Sequence, residues 1–331
     1  MIRNLWKTNR LEILTHVLCG RPLPKKAAIL VWVLFPALMY AQAVAQPGDG
    51  ALTPARVRHA LPVPANSHLP SLFIIGDSTV RNGQGAGGGG QWGWGDQIGA
   101  LFDTNKINVV NRALGGTSSR TYYRTQWPNT LALIKPGDFV MMQFGHNDSG
   151  AINDTNRARG TIKGVGEETQ EIVNLLTKQP EVVHTFGWYE RAMITEARAC
   201  GAAPLVCSLI PHNRWKDGRV VRNAADYGGW AAGVAQAGHV PFLDINEIIA
   251  RQYEQLGQEK VNALFVAGAG PHTSLAGAQT NALCVVAALK SLKENPLAPY
   301  FSEKAAGILP ADLSQPSPAP AVLRPDSSKA Q

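Results

Sequence analysis

The chain of 331 residues is poor in charge, with 17% charged residues, and holds four cysteines. Its 45% hydrophobic content suits a chain that buries a sizeable core, as one large domain or two small ones, rather than a disordered one. Of the cysteines, Cys200, Cys207 and Cys284 have a spacing that fits neither a metal site nor a disulfide framework. The apolar run from Ala27 to Tyr40 spans 14 residues and contains Pro36, against the roughly 20 that a membrane-spanning helix needs. The sequence contains no internal repeat and no lysine in a phosphate-loop pattern. The serine at position 78 lies outside a G-x-S-x-G elbow, because position 80 is valine.

An acidic surplus is also missing, and the formal charge is +7. The first 45 residues carry six basic side chains (Arg3, Lys7, Arg10, Arg21, Lys25, Lys26) against Glu12 alone. That segment therefore contributes +5 and leaves +2 for the rest, which removes the main support for a nucleic-acid partner. Lys25 and Lys26 precede AAILVWVLFPALMY, and AQAVAQ then supplies small residues at Ala43 and Ala45, the pattern of a signal peptide over residues 1–45. The expectation is an exported protein, periplasmic or secreted, with no stable membrane insertion after leader removal. Cys19 would leave with the leader, and the three remaining cysteines allow at most one disulfide. Cys207 sits in a strand-like run and Cys284 in a helix-like one, as small buried hydrophobes do.

What the chain does have is alternation. SLFIIGD (71–77), INVVNRAL (107–114), DFVMMQFG (138–145), PLVCSLIP (204–211) and VPFLDIN (240–246) are short apolar runs that predict five buried strands. Between them WGDQIGALFD, EIVNLLTK, WYERAMITEARACG and YGGWAAGVAQAG have helical spacing. This order predicts an α/β fold, a parallel sheet covered by helices on both faces, with ligands at the carboxyl ends of the strands. Residues 46–67 read as a linker, 68–300 as the folded domain and 301–331 as a proline- and serine-rich disordered tail.

The strand ends are the informative places. The first strand runs into Gly76-Asp77-Ser78-Thr79, where a serine is either a turn residue or a nucleophile at the ligand edge. The second ends in Gly115-Gly116-Thr117-Ser118-Ser119-Arg120, where glycine lets backbone N–H groups approach a ligand. The third ends in Gly145-His146-Asn147-Asp148, and an asparagine amide there can donate to an oxyanion without adding charge. Gly83, Gly85 and Gly88 satisfy G-x-G-x-x-G, but in NGQGAGGGGQWGWG glycine is so frequent that the match carries little. That stretch reads as a flexible loop over the site, with Trp92 and Trp94 free to stack on a ligand or to pack.

The blocks GDST, NRALGGTSSRTY, QFGHND and PHTSLAGA, in this order, resemble the SGNH/GDSL hydrolases, and most closely their rhamnogalacturonan acetylesterase branch, over about Leu72 to Leu292. The resemblance implies a three-layer α/β/α, flavodoxin-like fold with a five-stranded parallel sheet. It implies removal of O-acetyl groups from pectin through an acetyl-serine, with no metal or cofactor. By position Ser78 matches the nucleophile and His272 the general base. The N–H of Ser78, the N–H of Gly116 and the side chain of Asn147 match the oxyanion hole. One position departs: the residue three before the histidine is an aspartate in the family and is Ala269 here.

Three functions follow from this. The first is an exported carbohydrate O-acetylesterase, complete or weakened, acting on an acetylated polysaccharide or oligosaccharide. The second is a carbohydrate-binding protein on the same fold that has lost catalysis, because alanine can neither fix nor charge-stabilise the imidazole. The third is a nucleotide-binding protein resting on the glycine stretch. Arg120, Arg214 and Lys216 follow strand ends and could pair with uronate carboxylates.

Overall fold

The computed structural model of the protein describes residues 60–314. In chain order the strands are β1 (Ser71–Gly76), β2 (Asn108–Asn111), β3 (Phe139–Gln143), β4 (Thr169–Val173), β5 (Pro180–His184), β6 (Ala203–Cys207), β7 (Trp215–Lys216), β8 (Arg219–Val220) and β9 (Phe242–Leu243). The helices are α1 (Ser119–Thr125), α2 (Trp127–Leu131), α3 (Phe186–Ala199), α4 (Tyr227–Ala237), α5 (Ile245–Leu256), α6 (Gln258–Asn262) and α7 (Leu275–Ser291). The five strands expected from the apolar runs form one sheet in the order β2-β1-β3-β6-β9. Every neighbouring pair in it is parallel.

Alternation along β1 shows why both faces are covered. Leu72 and Ile74 join one buried cluster, with Tyr253 of α5 and Val285 and Leu289 of α7. Phe73 and Ile75 join another, with Tyr122 of α1, Trp127 and Leu131 of α2, Met193 and Ala197 of α3, and Val234 of α4. A strand buried on both sides reads as an unbroken apolar run, and successive residues still serve opposite cores. The result is the expected three-layer α/β/α sandwich.

Three expectations change. EIVNLLTK (171–178) is not a helix: Thr169–Val173 pairs antiparallel with Pro180–His184 as a separate hairpin. Val173, Leu175 and Leu176 are exposed, so a helix there would have found no apolar partner for its face. The Asn174 carboxamide oxygen instead takes the N–H groups of Leu176 and Thr177 and turns the chain. WGDQIGALFD forms two short 3₁₀ turns, Trp94–Asp96 and Ile98–Leu101, and not one helix.

The tail expected from residue 301 begins as packed chain. Phe301 bridges to Phe102, Ala305 is buried, and the Ala311 N–H bonds the Ala287 carbonyl of α7. Lys290 donates to the carbonyls of Ala305 and Ile308, which gives this proline-poor portion fixed partners. The leader at 1–45, the start of the linker and residues 315–331 lie outside the described residues. The described end of the linker is tied to β2, because the Asn66 N–H donates to the Asn108 side chain. Cys207 and Cys284 are buried free thiols.

Candidate active site

Ser78 follows β1 directly, in a turn closed by bonds from the N–H groups of Val80 and Arg81 to the Asp77 carbonyl. Gly76 has no alternative at its position, since a Cβ there would stand 2.5 Å from the Gln143 carbonyl. Asp77 is fully buried, and its Oδ1 accepts both the N–H and the hydroxyl of Thr79, at 2.8 and 2.7 Å. The Thr79 hydroxyl in turn accepts from Gln143, whose side-chain carbonyl accepts the Trp94 indole N–H at 2.8 Å. This chain of bonds fixes the turn from beneath and leaves Ser78 half-exposed within a buried run.

Trp94 is therefore a buried scaffold residue and not a stacking surface. Trp92 is half-buried, its backbone pairs with Thr273, and its ring lies where a side chain on Gly87 would stand, at 2.3 Å. The glycine stretch itself folds into short 3₁₀ turns at Gly83–Gly85 and Gly88–Gly90, without the strand-to-helix junction that dinucleotide binding needs.

His272 arrives from the other end of the chain. Thr273, next to it, bridges to both Phe265 and Trp92, and Ser274 caps α7. Gly277 permits this approach, as a Cβ there would be 2.0 Å from the Leu264 carbonyl. The outcome is a contact of 2.9 Å between Ser78 Oγ and His272 Nε2. Burial lowers the His272 pKa below the usual histidine value, and the negative charge of Asp77 opposes that shift. Among the described residues no other side chain hydrogen-bonds the ring. Ala269 offers its carbonyl to the His272 main-chain N–H, at 3.4 Å.

The other strand ends converge on the same edge, because β2 and β3 flank β1. Gly115 packs against the Ser78 turn, where a Cβ would stand 3.5 Å from the Ser78 Cβ. Gly116 has φ +87, a value that glycine adopts freely. Among the described residues neither the Ser78 nor the Gly116 N–H donates to a protein acceptor. Asn147 is buried and spends one amide hydrogen on the Thr117 carbonyl at 2.7 Å, with its second free to donate. Asp148 joins the two loops by accepting from Ser119 and Gly145. Burial pushes the Asp77 carboxyl up to about 6 and that of Asp148 to about 7.

Several residues at this edge carry no sequence signal strong enough to single them out. His146 Nδ1 and His212 Nε2 lie 3.1 Å apart, and burial lowers the two rings to about 3 and about 4. His212 follows β6, so its position at a strand end was the available clue. Arg159, in the loop after β3, donates to the Gly116 carbonyl at 2.9 Å. The basic residues that the sequence suggests as carboxylate partners divide. Arg120 is fully buried, with Nε on Glu181 and Nη1 on the carbonyls of Ile152 and Gly160, so it holds the fold and meets no ligand. Arg214 and Lys216 are exposed at the small β7–β8 hairpin.

A serine hydroxyl in contact with an imidazole nitrogen, with two free N–H groups beside an amide, is an arrangement that suits attack on an ester carbonyl. Comparison with known proteins agrees in class. The model of the GDSL-like Lipase/Acylhydrolase family matches residues 74–279. The rhamnogalacturonan acetylesterase of Emericella nidulans is 32% identical over 205 residues, 60% of this chain and 78% of that protein. The probable rhamnogalacturonan acetylesterase YesY of Bacillus subtilis is 27% identical over 227 residues, 67% of this chain and 93% of that protein. The solved structure of YxiM from Bacillus subtilis shares the fold, with a TM-score of 0.54 at 23% identity over 67% of this chain and 56% of that one.

Proposed function

This chain belongs to the GDSL-like lipase/acylhydrolase family, in its rhamnogalacturonan acetylesterase-like branch, and from that premise we propose that it is an exported serine esterase removing O-acetyl groups from plant cell-wall polysaccharide. The substrate favoured by its relatives' names is acetylated rhamnogalacturonan. The single observation that carries the reading is the 2.9 Å contact between Ser78 Oγ and His272 Nε2. Export rests on the leader-like first 45 residues. Among the described residues no helix is long and apolar enough to cross a membrane.

In this reading His272 takes the Ser78 proton as Oγ bonds to the acetyl carbon, and the oxyanion is met by the N–H groups of Ser78 and Gly116 and by Asn147. The sugar oxygen leaves with the proton that His272 returns, and the acetyl group stays on Ser78. Water, deprotonated by His272, then attacks the acetyl-serine and releases acetate and free Ser78. The imidazole needs Nε2 unprotonated at the start, so its proton sits on Nδ1, the nitrogen that a triad acid would hold.

A second reading has its own observation. With Ala269 at the acid's place and the His272 ring hydrogen-bonded only to Ser78 among the described residues, the protein could bind acetylated glycan without turning it over. Acetate release from a panel of acetylated polysaccharides, with Ser78→Ala as the blank, separates the two. Release above the blank supports the esterase, and binding without release supports the second reading.

A further inference from the structure

Arg159 stands beside the nucleophile without a carboxylate of its own. Its Nη1 donates to the Gly116 carbonyl at 2.9 Å, while the N–H of the same glycine remains free for the oxyanion. Its stem lies along Gly150, where a Cβ would meet Arg159 Cγ at 3.5 Å and Nε at 3.7 Å. Arg120 is neutralised at close range by Glu181, and Arg222 by Glu247 and Glu254, while the buried Arg81 and Arg112 donate to neutral protein oxygens away from the site. Among the described residues Arg159 makes no ion pair, and the Gly116 carbonyl takes one of its five N–H donors.

A half-buried guanidinium in that condition gives up hydration without full compensation. Burial lowers the affinity of Arg159 for its proton, and the neighbouring cation Arg157 adds to this. The charges that oppose them belong to Asp77 and Asp148 first. Both carboxyls are buried and hydrogen-bonded elsewhere, neither forms an ion pair with the guanidinium, and the rise of Asp148 to about 7 leaves that group only partly ionised near neutrality. The cation therefore has unspent charge and a planar fork of donors at the rim of the ester site. That fork matches a carboxylate, which it can bind through two parallel bonds, better than it matches sugar hydroxyls.

The geometry points to Arg159 as the residue that binds a uronate carboxylate of the acetylated glycan and so selects acidic over neutral acetylated sugars, an inference that rests on the esterase reading above. A carboxylate on the acetylated sugar or on its neighbour would dock on the Gly116 side of Ser78. The acetyl carbonyl would then be held between the backbone N–H groups and Asn147.

The test is binding, measured by isothermal titration calorimetry with Ser78→Ala protein so that ligands stay intact. The probes are a rhamnogalacturonan oligosaccharide and its carboxyl-reduced counterpart, and the readout is the ratio of their affinities. The expected result is that Arg159→Gln lowers this ratio tenfold or more and that Arg159→Lys, which keeps charge without the fork, recovers part of it. An unchanged ratio in Arg159→Gln, or no preference for the acidic probe when Arg159 is present, overturns the inference. Should Arg159→Gln fail to fold by its melting curve, salt dependence decides. With Arg159 present, a ratio that falls steeply as salt rises supports carboxylate pairing, and a flat ratio overturns it. Acetate release by the unsubstituted protein reports separately on the esterase reading. An inert protein that still prefers the acidic probe overturns that reading and leaves the role of Arg159 standing.

Discussion

Ala269 holds the main chain of His272 and leaves its ring alone: the alanine carbonyl accepts the His272 N–H at 3.4 Å, and its side chain ends at a methyl. The imidazole is oriented by its contact with Ser78 and by the bridges that fix Thr273 on either side. Restoring a carboxylate by Ala269→Asp would give Nδ1–H an acceptor and stabilise the imidazolium formed during attack. Turnover on an acetyl ester is expected to rise by a factor of ten or more, about 1.4 kcal/mol of barrier for each tenfold. The same carboxylate raises the His272 pKa, so the acid limb of the kcat/KM profile should move to higher pH in the variant. The unsubstituted protein, whose His272 is held low by burial, keeps its activity further into acid. Rates across pH for both proteins check this, and a variant with the original limb and the original rate would show that the missing acid does not limit catalysis.

Ser78→Ala should abolish acetyl-ester hydrolysis and leave the melting temperature almost unchanged. The hydroxyl is half-exposed and its bond to His272 is not part of the core, so its loss costs roughly 1 kcal/mol or less of stability. No neighbouring group can replace it as the attacking atom, because Thr79, the adjacent hydroxyl, is buried on Asp77. Retained hydrolysis in the folded variant would remove Ser78 from the mechanism.

Asn147→Ala acts on two things at once, and they can be told apart. The lost donor to the oxyanion costs roughly 3 kcal/mol in the transition state, seen as a fall in kcat with little change in KM. The lost bond to the Thr117 carbonyl costs on the order of 1 kcal/mol of stability, seen in denaturant unfolding. A rise in KM at constant kcat would mean that the amide binds ground-state substrate and not the oxyanion.

The central sheet and the strand-end residues are legible in the sequence for one physical reason. A parallel strand buried on both faces must be an apolar run, and ligands gather where such runs stop, so the ends of those runs single out Ser78, Gly116 and Asn147. The β4–β5 hairpin is not legible, because Ile172, Leu175 and Leu176 are spaced as on a helix and only the lack of a surface to bury them decides otherwise. Trp94 reads equally well as a ligand platform, and what excludes that role is the bond from its indole N–H to Gln143, a partner 49 residues away. Arg120 and Arg159 are alike in sequence, each a basic residue after a strand. What separates them is Glu181, which pairs with the charge of the first and is 61 residues from it along the chain. Long-range pairing of this kind has no local signature.

The last prediction concerns the buried carboxyls under the site. Asp148 has its carboxyl raised from 3.8 to about 7, desolvation by burial outweighing the bonds from Ser119 and Gly145, and Asp77 is raised to about 6. For an acid whose pKa is higher folded than unfolded, the folded state binds the proton more tightly. The stabilisation is complete below the unfolded value near 3.8 and is lost as pH rises through the folded one. Stability should therefore fall from about pH 4 to pH 7 on account of these two groups, by up to roughly 4 kcal/mol for Asp148, as an upper bound. His146 works in the opposite sense: its pKa is lowered to about 3, so its contribution is present above 6.5 and is lost as pH falls toward 3. The two effects are separated by substitution. Asp148→Asn cannot ionise, and whatever it loses in absolute stability at Ser119 or Gly145 is nearly constant with pH. The difference in unfolding free energy between parent and variant, from urea titrations at half-unit steps between about pH 4 and pH 8, should shift steadily in the variant's favour as pH rises. A difference that is flat across this range would mean that Asp148 is ionised throughout, and that the charge facing Arg159 is stronger than its burial implies.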